Sequence, residues 1–61
     1  MTRINKKVFD NEVQYTYAVS SKSEAYYKVY HHARLYKDST GAFSGYDRER
    51  GQYTITIAYA R

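Results

Sequence analysis

The chain has 61 residues, enough for one small domain, and a formal net charge of +4 from 10 Lys+Arg against 6 Asp+Glu. It holds no Cys, Pro or Trp, which excludes a disulfide framework and any Cys-based zinc site. Leu, Ile, Val and Phe together number only 10, about 16% of the chain and below the roughly 20% at which a charged sequence is suspected of disorder. Nine tyrosines accompany that deficit.

In chain order, the first signal is alternation. Ile4 and Val8 alternate with Arg3, Asn5 and Lys7, and then Val13, Tyr15, Tyr17 and Val19 alternate with Gln14, Thr16, Ala18 and Ser20. Period two predicts strands with one buried face. Asp10-Asn11 lies between the runs, and both residues tolerate positive φ, so they suit a two-residue hairpin turn. Such a loop pairs Phe9 with Glu12, Val8 with Val13, Lys6 with Tyr15 and Ile4 with Tyr17. The apolar residues then share a face, with Lys6 as the one intruder.

The middle reads two ways. Ser21-Lys22-Ser23-Glu24 fits a helix capping box, and a helix over 22–37 gathers Ala25, Tyr26, Val29, Ala33 and Tyr36 on one face. Tyr, His and Val crowd this segment, however, and are mediocre helix formers. Downstream, Asp38-Ser39-Thr40-Gly41 and Arg48-Glu49-Arg50-Gly51 each carry the glycine of a turn closed by a bulge. Two such turns predict three antiparallel strands near 26–37, 42–47 and 52–60. Tyr36 then meets Phe43, His32 meets Asp47, Leu35 meets Ser44, Ser44 meets Ile55 and Tyr46 meets Tyr53. The last run, Tyr53 to Ala60, alternates Tyr and Ile with Thr and Ala, all but Ala being strong strand formers.

The expected fold is therefore all-β: a small five-stranded antiparallel meander, as an open sheet or small barrel, with 1–61 a single small β domain. The alternative is ββα followed by strands. In the meander register Tyr15, Tyr17, Tyr27, Tyr46, Tyr53 and Tyr59 face the core and replace missing aliphatics, leaving Tyr26, Tyr30 and Tyr36 as surplus.

That surplus lies on the outer face of the expected third strand, which reads Tyr26, Lys28, Tyr30, His32, Arg34, Tyr36, with Phe43 beside Tyr36 and Lys7 extending the positive field. Rings stack on bases while cations hold phosphates, a common way for a sheet to bind single strands. The expected function is a non-enzymatic small basic module that binds RNA or single-stranded DNA. The plainer account is that Tyr favours strands and that +4 serves solubility. A second reading is a small protein-binding inhibitor, of viral or mobile-element type, that meets an acidic protein surface by occlusion or strand addition. It would act as a homodimer through the uncharged strand 53–60.

No catalytic signature accompanies these residues. Adjacent His31 and His32 point to opposite faces of a strand and cannot chelate one ion. His32 with Asp47 reads as a surface ion pair, and the carboxylates form no paired or cation-binding motif. Gly41, Gly45 and Gly51 are turn glycines, not a phosphate loop. Neither a metal nor a cofactor is expected. Met1 to Val8 has basic residues but no apolar run behind them, and no stretch approaches about 18 apolar residues. The expected location is cytoplasmic, with no membrane partner.

Tyr17-Ala18-Val19-Ser20-Ser21, Tyr30-His31-His32-Ala33, Thr40-Gly41 and Gly51-Gln52-Tyr53 resemble the lactococcin-type β-sandwich bacteriocins. The resemblance implies an all-β sheet. Those proteins are secreted and bear Trp, whereas this chain has no Trp and no visible signal, so no function is carried across.

Overall fold

The N-terminal hairpin forms where alternation places it. The computed structural model describes residues 1–61. In it β1 (Thr2–Val8) and β2 (Glu12–Val19) pair antiparallel, with Val8 opposite Val13 and Lys6 opposite Tyr15. The Phe9 N–H donates to the Glu12 carbonyl at 2.8 Å and closes the turn. The register then shifts between Arg3 and Asn5, so Arg3, not Ile4, stands opposite Tyr17.

The segment expected as a third strand is helical. It forms α1 (Lys22–Tyr30) and the single turn α2 (His32–Leu35). Capping overrides propensity here. Ser21 sits in extended backbone (φ −158, ψ 163), and its hydroxyl accepts the Glu24 N–H at 3.1 Å. Ser20 in turn donates its hydroxyl to the Glu24 carboxylate at 2.7 Å. That bond holds the Glu24 carboxyl below its ordinary range, with backbone hydrogen bonding at Ser20, the Lys28 cation and the chain's N-terminus also lowering it. Tyr, His and Val each lose only a few tenths of a kcal/mol in a helix. Burying Ala25 and Val29 against the sheet outweighs that loss. Five strands thus become four, and the pairings of Tyr36 with Phe43, His32 with Asp47 and Leu35 with Ser44 are absent. The order of elements is the alternative, ββα followed by strands.

The C-terminal hairpin keeps its expected register. β3 (Ser39–Asp47) and β4 (Gln52–Ala60) place Ser44 opposite Ile55 and Tyr46 opposite Tyr53. Gly51, at φ 64, supplies the left-handed residue of the turn. The Asp47 carboxylate accepts the Arg50 N–H at 3.1 Å and lies 3.5 Å from the Arg50 guanidinium. The expected turn at 38–41 is different: the chain enters β3 at Ser39, and Thr40 falls in a register shift between Ser39 and Gly41.

All four strands form one open antiparallel sheet in the order β1-β2-β4-β3. It is neither a meander nor a barrel, because β4 inserts between β2 and β3. The strand 53–60 is paired on both sides and offers no edge for a second chain. The free edges are β1 and β3.

Both helices lie on one face of this sheet. They pack over β3 and β4 and part of β2, and α1 and α2 make no contact with β1. The core under them is Val19, Ala25, Ile55 and Ile57, with Tyr17, Val29, Tyr36, Ala42 and Tyr59 packed around it. Tyrosine does stand in for missing aliphatics, but not all as expected. Tyr36 belongs to the core, whereas Tyr27, Tyr46 and Tyr53 remain 59%, 53% and 38% exposed. On the opposite face Thr54, Thr56 and Ala58 are buried with no helix above them. β4 is paired on both sides, so its backbone neighbours, with Phe43 beside Thr56 and Gln14 beside Ala58, crowd these short side chains.

Candidate nucleic-acid interface

The helix scatters the expected aromatic and basic stripe. Tyr26 and Tyr30 remain exposed on α1, one turn apart. Lys28 and His32 are half-buried, and His32 Nδ1 lies 3.3 Å from the Val29 carbonyl instead of near Asp47. Arg34 is exposed on α2. Tyr36 is packed into the core, where burial pushes its phenol pKa up, with smaller contributions from Tyr59, Tyr17 and Glu24. Phe43 and Lys7 share the sheet face opposite the helices, since Phe43 pairs with Thr56, Thr56 with Thr16, and Lys7 with Gln14. These eight residues therefore lie on several surfaces and form no single platform.

A different set of residues does come together. On the helix side, β1 and the adjoining part of β2 are uncovered. There the Arg3 guanidinium carbon lies 5.5 Å from the centre of the Tyr15 ring, and the Lys6 ammonium 5.8 Å from it. The Tyr59 ring meets Tyr15 edge-on at 5.9 Å and 70°. Each of β1, β2 and β4 contributes. Lys6 comes from the hairpin register, Arg3 from the register shift that turns it to this face, and Tyr59 from the pairing of Val13 with Tyr59 and Tyr15 with Ile57. Burial, and then Tyr17, Asp38 and Tyr15 nearby, push the Tyr59 pKa up and keep the ring neutral.

Arg3 and Lys6 have no carboxylate partner, because the single ion pair of the chain joins Arg50 to Asp47. A cation held over a ring gains about 0.5–1 kcal/mol at an exposed site and keeps most of its charge available to an anion. The sequence signalled this site through Lys6, a lysine on an otherwise apolar strand face. The role of Arg3 depends on the register shift, which nothing local announces.

Two other features frame the surface. His31 stacks against Tyr27 at 4.5 Å and Tyr30 at 5.0 Å on the outer side of α1. A groove of about 300 Å³ runs between α1 and β3, lined by Lys22, Ala25, Tyr26, Ser44, Gly45, Tyr46 and Tyr53. No group of three His, Cys, Asp or Glu side chains is placed to hold a metal ion. No helix is long and apolar enough to cross a membrane. Comparison of the chain with protein-family models, with curated proteins and with solved structures gives no match.

Proposed function

We propose that the chain is a non-enzymatic binding module for RNA or single-stranded DNA, using an aromatic and basic sheet face built from Arg3, Lys6, Tyr15 and Tyr59. The observation that supports this is the pair of carboxylate-free cations held close to the Tyr15 ring on the uncovered part of the sheet. The mechanism is the one expected from sequence, moved to other residues. The uncovered part of the half-buried Tyr15 ring takes a base when Arg3 or Lys6 swings off it to a phosphate. Lys22, Lys28 and Arg34 on the helices add to the positive field that draws a polyanion in.

The test is a salt titration with a fluorescent single strand, oligo-uridine or oligo-thymidine. Affinity should fall with rising salt. Arg3→Glu with Lys6→Glu should abolish binding and leave the circular dichroism unchanged. The milder pair Arg3→Gln with Lys6→Gln loses two phosphate contacts and should flatten the log–log salt slope by about 1.4. Absence of binding at low salt, or binding indifferent to both substitutions, overturns the reading.

A second reading, a protein-binding inhibitor acting by strand addition and located in the cytoplasm, keeps one supporting observation: β3 is an open edge. A pull-down with and without nuclease separates the two, since a protein partner held through β3 survives nuclease.

A further inference from the structure

The two edges of the sheet are built very differently. β1 carries Arg3, Lys6 and Lys7 and is interrupted by a register shift. Charge and irregularity of this kind are how sheets discourage a strand from adding. β3 reads Ser-Thr-Gly-Ala-Phe-Ser-Gly-Tyr-Asp, with no charge before Asp47. After its shift near Thr40 it runs regularly along β4 from Gly41 to Asp47. One side of that run is a row of backbone groups with no neighbouring strand.

We propose that two copies of the chain pair antiparallel through β3, about a two-fold axis at Phe43. The sequence around Phe43 suits its own reverse. Ala42 falls opposite Ser44 of the second copy and Gly41 opposite Gly45, so small residues meet on either side of the centre, and Tyr46 falls opposite Thr40 further out. Phe43 is 53% exposed and is the one large apolar side chain on its face of β3. Across the axis the two rings meet, each flanked by the other copy's glycines. Space over Gly41 is open, with nothing within 4 Å of where a Cβ would stand. Aromatic side chains reach both their directly opposed and their diagonal cross-strand neighbours, and such contacts stabilise and register a pair.

The opposite face agrees. An axis perpendicular to the sheet puts both α1 helices on the same side. Each α1 lies over β3 and β4 alike. With strands about 4.8 Å apart, the two helices would run roughly 10 Å apart, the ordinary distance for packed helices. Tyr26 and Tyr46, 56% and 53% exposed in a single chain, line the groove on the β3 side of α1 and would be covered there. Exposed rings thus stand on both faces of the β3 edge, Phe43 on one and Tyr26 and Tyr46 on the other. A second copy fits this better than an acidic partner, because β3 carries no cation and the one lysine at the groove, Lys22, lies over the Tyr26 ring.

The experiment is sedimentation velocity over a wide concentration range, on the full chain and on variants at Phe43. The wild-type sedimentation coefficient should rise with concentration toward that of a dimer. Phe43→Lys puts like charges opposite each other at the axis and should weaken association by about tenfold or more, while Phe43→Tyr should not. Because the chain has no Cys, Phe43→Cys adds a single thiol that should oxidise to a cross-linked dimer. Phe9→Cys, at the distant hairpin turn, should not. The Cys pair carries the test should Phe43→Lys fail to fold. A monomer at every concentration overturns the proposal and leaves the edge to a strand of another protein. A dimer indifferent to Phe43→Lys, or cross-linked as readily through Phe9→Cys, overturns it too.

Discussion

Thr16 and Thr56 face each other across β2 and β4 with their hydroxyl oxygens 2.9 Å apart, on the sheet face that no helix covers. Thr56 is buried and Thr16 half-buried, so each hydroxyl depends on the other. Thr56→Val alone leaves Thr16 without its partner and should lower stability by about 1 kcal/mol. Thr16→Val with Thr56→Val removes both hydroxyls, keeps the shape and should be near neutral. Urea denaturation of the four variants measures the difference. A double replacement that costs the sum of the two single ones would show that the hydroxyls are not coupled.

The helix that replaced the expected strand rests on Ser21. Ser21→Ala removes the acceptor for the Glu24 N–H and should cost about 1 kcal/mol. Ser21→Asp should restore most of it. Thermal melts followed at 222 nm test this, and an unchanged midpoint for Ser21→Ala would mean that packing alone holds α1.

Two tyrosines that look alike in the sequence should behave oppositely. Tyr30 is 84% exposed, whereas Tyr36 packs against the core. Tyr30→Ala should change stability by no more than about 0.5 kcal/mol, and Tyr36→Ala should cost about 2 kcal/mol or more. Chemical denaturation decides it, and comparable costs at the two positions would contradict the core drawn above.

Alkaline pH should unfold the chain in a specific window. Burial raises the pKa of both Tyr36 and Tyr59, so the folded state holds their protons more tightly than the unfolded state does. Their contribution is complete below the ordinary tyrosine pKa near 10 and declines as pH rises past it toward the raised folded values. Melting temperature should therefore be flat up to about pH 9.5 and fall beyond it. Tyr36→Phe with Tyr59→Phe should flatten the fall, and absorbance at 295 nm should show phenols that ionise late.

Both hairpins were legible in the sequence because their information is local. Asp10-Asn11 and Gly51 fix where the chain reverses, and alternation then fixes which residues meet, down to Tyr46 against Tyr53. The middle segment reads ambiguously because its capping residues and its tyrosines disagree. Ser21 and Glu24 announce the helix, while Tyr, His and Val argue against it. The Ser21 cap and the burial of Ala25 and Val29 together outweigh the modest propensity of Tyr, His and Val. The candidate site was half legible. Lys6 broke the apolar face visibly, but the rotation of Arg3 onto that face depends on a register shift, and the approach of Tyr59 depends on β4 lying beside β2, some 40 residues away in the chain.

That pairing of β2 with β4 also dictates how the molecule assembles. Each hairpin closes over a short loop and can form early and alone. The seam between them joins residues 12–19 to residues 52–60, so its loop entropy must be met before any of its contacts reward it. Folding should be slow for so short a chain, with the seam as its rate-limiting event. Substitutions along the seam, at Tyr17 or Ile55, should retard refolding, whereas changes in either turn should chiefly hasten unfolding.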